Sequence, residues 1–393
     1  MRPRSVFLGP VRLLHGSCAR ASGALPSIQA SVLQKTLTSN PKPIVPKEDL
    51  VFGHTFSDHM LTVEWTAQGG WGVPQIKPYG PLLLDPSCSA FHYAFECFEG
   101  LKAYRDAQGR IRLFRPEKNM ERMNNSAASI QLPQFDGAQA VECIKELVRT
   151  DKRWVPEGKG YSLYLRPTLV STENTLGVRR GKSALLYVIA SPCGPYFRTG
   201  FRAVGLFCDE NNVRAWPGGV GGHKLGANYA PSVAPQVEAE KMGYQQVLWT
   251  IGEDHELTEV GTMNLFVLWR NELGETELVT PPLDGTILPG VTRDSILELA
   301  RSWGEFKVSE CRVNMKQVAK ACDEGRLLEV FGAGTACVVS PVNRIFYRGR
   351  DYAIPLDPAN PESQAGPVAS RIHKALTDIQ YGEVPSEWSV LVD

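Results

Sequence analysis

The run Gly218-Gly219-Val220-Gly221-Gly222-His223-Lys224 sets four glycines ahead of one lysine. Such a run lets the backbone turn tightly and come close to a ligand. It also removes two nucleotide-binding architectures. A P-loop needs Gly-Lys-Ser/Thr, and this chain reads His223-Lys224-Leu225. A Rossmann fingerprint needs Gly-x-Gly-x-x-Gly after a strand, and none stands here. A solvated lysine in a surface loop is the plain alternative.

A lysine amine can instead form a Schiff base with an aldehyde cofactor, of which pyridoxal phosphate is the common one. That chemistry needs a carboxylate at the pyridine nitrogen, a phosphate cup and a partner for the ring oxygen as well. Tyr229 follows the lysine closely. Glu259 comes 35 positions later, in Leu257-Thr258-Glu259-Val260-Gly261-Thr262-Met263-Asn264. Leu288-Pro289-Gly290-Val291-Thr292-Arg293 reads as a turn opening a helix, whose free N–H groups and dipole suit a phosphate. Taken singly, Glu259 could cap a turn and Thr292 could be a plain N-cap.

At 393 residues the chain has room for two domains. Its hydrophobic content of 43% and charged content of 21% are ordinary for a globular enzyme. A formal net charge of zero gives no basic surplus for nucleic acid, and no apolar run would cross a bilayer. The nine cysteines contain no Cys-x-x-Cys pair, so neither a zinc site nor a secreted disulfide framework is expected. No His-Glu-x-x-His motif is present, and no metal is expected. Met1 to Lys47 holds no Asp or Glu, while Arg2, Arg4, Arg12, Arg20, Lys35, Lys42 and Lys47 are basic. This composition suits a mitochondrial transit peptide over residues 1–45, with delivery to the matrix; an unrelated basic tail is the alternative.

The expected organisation is α+β: a small domain over 46–190, a linker over 191–202 and a large domain over 203–393, with the site between them. Strands are expected at 59–65, 161–167, 185–190, 246–249 and 264–269. A hairpin is expected at 101–104 and 111–114. Phe91 to Gly100 reads as a helix ending at the glycine. Further helices are expected to open at Pro116 and to span 138–153, 293–303, 315–323 and 368–379.

The order Glu259-x-Gly261-x-x-Asn264-Leu265-Phe266, Leu278-Val279-Thr280, then Leu288-Pro289-Gly290-Val291-Thr292-Arg293 resembles the signature of class IV aminotransferases, the fold-type IV pyridoxal-phosphate enzymes. From about Phe52 onward the chain is most similar to the branched-chain amino acid aminotransferases of the animal mitochondrial kind. The resemblance implies a homodimer acting on small amino acids and 2-oxo acids: leucine, isoleucine and valine against glutamate and 2-oxoglutarate. Lys224 would be the Schiff-base lysine and proton shuttle, and Tyr229 would hydrogen-bond the cofactor's phenolate oxygen. Arg122, Val291, Thr292 and Thr335 would hold the phosphate, with Leu288 against the ring.

Such a pocket must take an apolar side chain and a carboxylate in one place, so apolar walls need one well-placed cation. By resemblance the walls are Phe52, Phe98, Tyr164 and Tyr196, with Tyr93, Leu176 and Val178 reaching across a dimer interface. Arg166 would meet the distal carboxylate. The backbone of Thr262 and Ala336 would take the α-carboxylate, with Thr262 also beside the cofactor. One position departs from the vertebrate mitochondrial pattern. Where those enzymes carry a Cys-x-x-Cys pair, this chain reads Cys337-Val338-Val339-Ser340, which rules out an internal disulfide there.

Two other readings are weaker. A D-amino acid aminotransferase or an aminodeoxychorismate lyase shares the lysine and glutamate, but not Phe52, Phe98 and Tyr164 joined to Arg166. A phosphate-ligand binding module would need neither an electron sink nor a Schiff-base amine.

Overall fold

The computed structural model describes residues 26–195 and 202–392. Two sheets carry the fold. The first has ten strands and runs, edge to edge, through Gln34–Lys35, Gln75–Pro78, His59–Thr66, Ser183–Cys193, Ser162–Ser171, Leu101–Arg105, Ile111–Phe114 and Ser389–Leu391. Two short strands, Gly70–Trp71 and Glu96–Phe98, attach beside it. The second sheet has nine strands and is mixed: Val204–Asp209 lies parallel to both Gln246–Ile251 and Val338–Tyr347, while its other pairs are largely antiparallel.

Helices Pro116–Ser129 and Gly137–Thr150 cover the first sheet. In the latter, Ala140, Ile144, Leu147 and Val148 fall on one face at helical spacing and are buried, and Asp136 caps its first turn by accepting from Ala138 and Gln139 N–H. In the second half, helix Met315–Asp323 begins with a reciprocal Asn314–Gln317 capping box. Helices Val291–Trp303 and Pro367–Gln380 pack on the other face of that sheet, in a core that Tyr104 and Phe114 of the first sheet also enter. The two halves thus share apolar surface.

Most expected elements form. The strand at 59–65, the hairpin after Gly100 and the helix opening at Pro116 all stand where the pattern put them. The stretch from Phe91 to Gly100 differs. Its helix covers only Ser89–Tyr93, because Ala94 takes a left-handed conformation and ends it. Glu96–Phe98 then pairs antiparallel with Thr168–Val170. Aromatic bulk there serves a wall, not a helix face.

Strand Ser183–Cys193 extends three residues into the stretch expected as a linker, with Cys193 paired to Ser162. Residues 26–45, grouped with the leader on composition, pack on the first sheet. Ile28 is 1% exposed within that sheet's core, Trp71 N–H donates to the Pro26 carbonyl, and Gln34–Lys35 extends the sheet edge. Basic composition set this segment apart, but its apolar residues place it in the fold. No described helix is long and apolar enough to cross a membrane.

Ile28→Ala should therefore lower stability by about 2–5 kcal/mol, the usual range for emptying a core isoleucine site. The half-exposed Ile44→Ala on the same segment should change it little. Denaturant midpoints of the two variants check this, and equal midpoints would mean the segment is not part of the folded unit.

Candidate active site

The lysine loop is clamped from both halves. Lys224 N–H donates to Ser126 Oγ at 2.9 Å, and its carbonyl accepts from Phe98 N–H at 3.1 Å. Its neighbour Leu225 is buried in the first sheet's core. Toward the second half, Gly222 N–H donates to the Gly285 carbonyl, and Gly221 packs so tightly that a Cβ there would lie 2.7 Å from the Thr286 carbonyl oxygen. That close approach is why glycine is needed at 221. Asn228 Nδ2 holds the loop carbonyls of Val220 and His223, each at 2.9 Å. The result aims Lys224 Nζ at Tyr229 Oη, 3.1 Å away, over the Phe98 ring.

Glu259 is 2% exposed on the strand Glu256–Val260. One oxygen accepts from Asn264 Nδ2 at 2.9 Å and from Leu288 N–H at 3.2 Å, and the other pairs with Arg214 Nε at 2.5 Å. Burial holds its carboxyl above the ordinary value, with the Arg214 charge pulling the other way and Lys224 and Arg122 adding to that pull. Asn264 also donates to the Leu288 carbonyl, so one amide fixes the turn before the next helix. A Cβ at Gly290 would lie 2.0 Å from Asn264 Oδ1, which explains the glycine of Leu288-Pro289-Gly290. Helix Val291–Trp303 opens there with Gly290 as a cap that has no side-chain acceptor. Its first N–H groups are thus left for a ligand.

Arg122 lies across from this turn. Its guanidinium grips Glu99 with two bonds, at 2.7 and 2.8 Å, and donates to the Pro289 carbonyl at 3.0 Å. Burial would raise the Glu99 carboxyl, but Arg122's charge and hydrogen bonds hold it below the usual carboxylate range. Val291, Thr292 and Thr335 line a small cavity together with Asn119 and Lys102. Lys102 Nζ donates to the Ala336 carbonyl at 2.7 Å and so fixes the peptide after Thr335.

Residues 96–345 match the family described as Amino-transferase class IV. The chain is a class IV aminotransferase. It is 55% identical to the branched-chain-amino-acid aminotransferase of Dictyostelium discoideum, over 93% of this chain and 96% of that one. It is 50% identical to the mitochondrial form of Bos taurus over 95% of each chain. Its fold aligns, with a TM-score of 0.65 and 27% identity, with a T.th. branched-chain amino acid aminotransferase solved with pyridoxamine 5'-phosphate, covering 84% of this chain and 98% of that one. The aminotransferase belongs to the branched-chain-amino-acid branch of the class IV family, which is pyridoxal-phosphate dependent.

Of the pocket residues named from sequence, Phe52, Phe98, Tyr164 and Arg166 come together. Phe52 meets Tyr164 edge-on with centroids 4.9 Å apart, and Phe98 meets Tyr229 at 4.9 Å. The Arg166 guanidinium lies 4.8 Å from the Phe98 ring centre and 5.3 Å from that of Tyr164, and donates to Tyr164 Oη at 3.2 Å. Its Nε is buried without a partner. Thr262 is exposed beside Gly261, and Leu288 is buried against the Glu259 network. Tyr93, Leu176 and Val178 stay exposed on this chain's surface, with Tyr93 Oη donating to the Leu176 carbonyl. Tyr196 lies outside the described residues. Arg214, Glu99 and Ser126 escaped the sequence reading: each acts through a partner at least 23 positions away, and no local motif marks it.

Glu259, with a raised carboxyl, contributes stability that is full at low pH and is lost as pH rises through that raised value. Arg214→Gln removes the opposing charge and pushes the carboxyl further up. Without cofactor, the deficit of this variant against wild type should be smallest in acid, where the carboxyl is neutral, and should widen to about 3–5 kcal/mol as pH rises. Thermal unfolding across pH reads this; parallel curves would refute the pairing.

Proposed function

We infer that this enzyme carries its chemistry on Lys224 and seats pyridoxal 5'-phosphate between the lysine loop and the turn at Leu288–Thr292. It is a pyridoxal-phosphate-dependent transaminase, exchanging L-leucine, L-isoleucine or L-valine and 2-oxoglutarate for branched-chain 2-oxo acids and L-glutamate. The observation that carries the site assignment is convergence. Lys224 Nζ meets Tyr229 Oη, Arg214 and the Leu288 N–H meet the Glu259 carboxylate, and Arg122 donates to the Pro289 carbonyl of the same turn. A buried carboxylate, an amine paired to a phenol and an uncapped helix start fit the nitrogen, aldehyde and phosphate of that cofactor.

Bound pyridoxal phosphate supplies an electron sink that makes an amino acid's α-proton removable. Lys224 Nζ would hold the aldehyde carbon and, once free, is the amine placed to take that proton and return it. Glu259 would keep the pyridine nitrogen protonated. Tyr229 would donate to the ring oxygen, and Leu288 would press on the ring. Arg122, Val291, Thr292 and Thr335 would hold the phosphate. The backbone at Thr262 and Ala336 would take the substrate's α-carboxylate, the latter peptide steadied by Lys102. Phe52, Phe98 and Tyr164 give leucine an apolar wall, and Arg166 between their rings awaits a distal carboxylate. Tyr196 belongs to the same proposed wall.

Assembly, compartment and domain division extend this reading. A homodimer would bring the exposed Tyr93, Leu176 and Val178 of one copy toward the other's pocket; a fully active monomer in sedimentation would remove them from it. The acid-free basic stretch before Glu48 supports mitochondrial delivery, although relatives include cytosolic as well as mitochondrial forms. Finding the intact N-terminus in chain isolated from mitochondria would count against a cleaved leader. We place the break between domains within 191–202, with residues 26–45 and Ser389–Leu391 in the first.

Lys224→Ala should fold and lose turnover by about 10⁴-fold or more; ordinary transamination by this variant would sink the lysine assignment. Arg166→Ala should lower kcat/KM for glutamate by about 10²-fold while sparing leucine to within about threefold. Equal losses for both substrates would refute Arg166 as the distal-carboxylate partner.

A further inference from the structure

Glu96 lies outside the roles assigned so far, yet the sheet places it at the pocket. Paired residues on neighbouring strands project to the same side, and side chains alternate along each strand. Glu96 pairs with Val170 and Phe98 with Thr168. Tyr164, Arg166, Thr168 and Val170 alternate along their strand, so Glu96, Phe98, Arg166 and Tyr164 share one face. Thr168 also pairs with Tyr187 of the next strand. The Glu96 carboxyl reaches over the lysine loop: a Cβ at Gly226 would lie 2.0 Å from its Oε1. It therefore meets the loop two residues after Lys224, on the wall that holds the Arg166 guanidinium.

Glu96 and Arg166 act on each other at a distance. Burial raises the Glu96 carboxyl, and the Arg166 charge opposes that rise. No ion pair within 4.0 Å joins them. Arg166 instead makes its contacts with Tyr164 and two aromatic faces, leaving Nε unpartnered.

We propose that Glu96 is a specificity residue: it is the resident counter-charge to Arg166 that lets one pocket serve both an apolar and an acidic side chain. When leucine fills the pocket, water leaves and the guanidinium keeps no mobile counter-ion, so a fixed carboxylate nearby offsets its burial. When glutamate fills it, the incoming carboxylate meets Arg166 directly, and Glu96 opposes it as a like charge. Glu96 thus weakens glutamate and supports leucine, holding the two affinities closer together than Arg166 alone would. This inference rests on Arg166 as the distal-carboxylate partner.

The test compares kcat/KM for leucine and for glutamate in four holoenzymes: wild type, Glu96→Gln, Arg166→Ala and the double variant. Glu96→Gln keeps shape and loses charge, and should raise the glutamate-to-leucine ratio by about three- to tenfold. Glu96→Asp should keep the ratio near wild type. In the Arg166→Ala background, where no guanidinium is left to balance, Glu96→Gln should move the ratio less than it does in the wild-type background, and an equal shift in both backgrounds would overturn the counter-charge role. A merely structural role would lower both substrates together, with an unchanged ratio, and would overturn the proposal. If Arg166→Ala spares leucine while Glu96→Gln leaves the ratio within about twofold of wild type, the Arg166 reading stands and this one falls. If Arg166→Ala harms both substrates equally, both fall.

Discussion

One buried carboxylate organises the site. Glu259 is reached from three separate stretches: Arg214 from before the lysine loop, Asn264 from the next strand and Leu288 from the turn before helix Val291–Trp303. An ionised carboxylate taken out of water is unfavourable unless its oxygens are filled with donors, and here they are. The same donors set the geometry. Arg214 also donates to the carbonyls of Gly221 and Thr286, so the lysine loop is tied to the carboxylate through one guanidinium. Asn264 bridges carboxylate and turn. Under the proposed roles, a protonated ring nitrogen, a proton carried by Lys224 and a phosphate held at Gly290–Thr292 would all depend on this single set of hydrogen bonds.

A second ion pair does the same for the two halves. Glu99 belongs to the first sheet's side of the cleft, and Pro289 to the second's. Arg122 bonds both, with Asn119 filling a remaining site on Glu99. The pair is buried, so its worth lies less in net stability than in register: a charge this poorly solvated accepts few alternative positions. Lys224 obeys the same logic, with Ser126 and Phe98 on one side and Gly285 and Thr286 on the other. The Lys224 amine sits where both halves must agree.

How much of this was readable follows from how local each interaction is. Lys224, Tyr229, Glu259 and the turn at Gly290 sit in short motifs, and their spacing carried both the family and the chemistry. Strand alternation and helical stripes located most elements for the same reason. Arg214, Glu99 and Ser126 were hidden because each takes its meaning from a residue brought near only by the fold. The stretch after Phe91 misled because aromatic residues satisfy a helix face and a pocket wall alike; Ala94's left-handed turn and the pairing to Thr168–Val170 decide it. Residues 26–45 misled in the opposite way. Their basic character spoke of a leader, while the single buried Ile28 and a two-residue edge strand anchor them to the body.

The Cys337 position shows how burial limits what a side chain can do. Its thiol packs against Met263 Sδ at 3.2 Å, and burial pushes it up to about 11, with Lys102 pulling the other way. A thiolate is the reactive form, and this one is scarce at neutral pH. Ser340, three residues on, is 1% exposed within strand Val338–Tyr347 and offers a hydroxyl in place of a second sulfur. Both features remove chemistry from a loop that also presents Thr335 and Ala336 to the site. In this chain the loop is held by packing and by Lys102 on the Ala336 carbonyl.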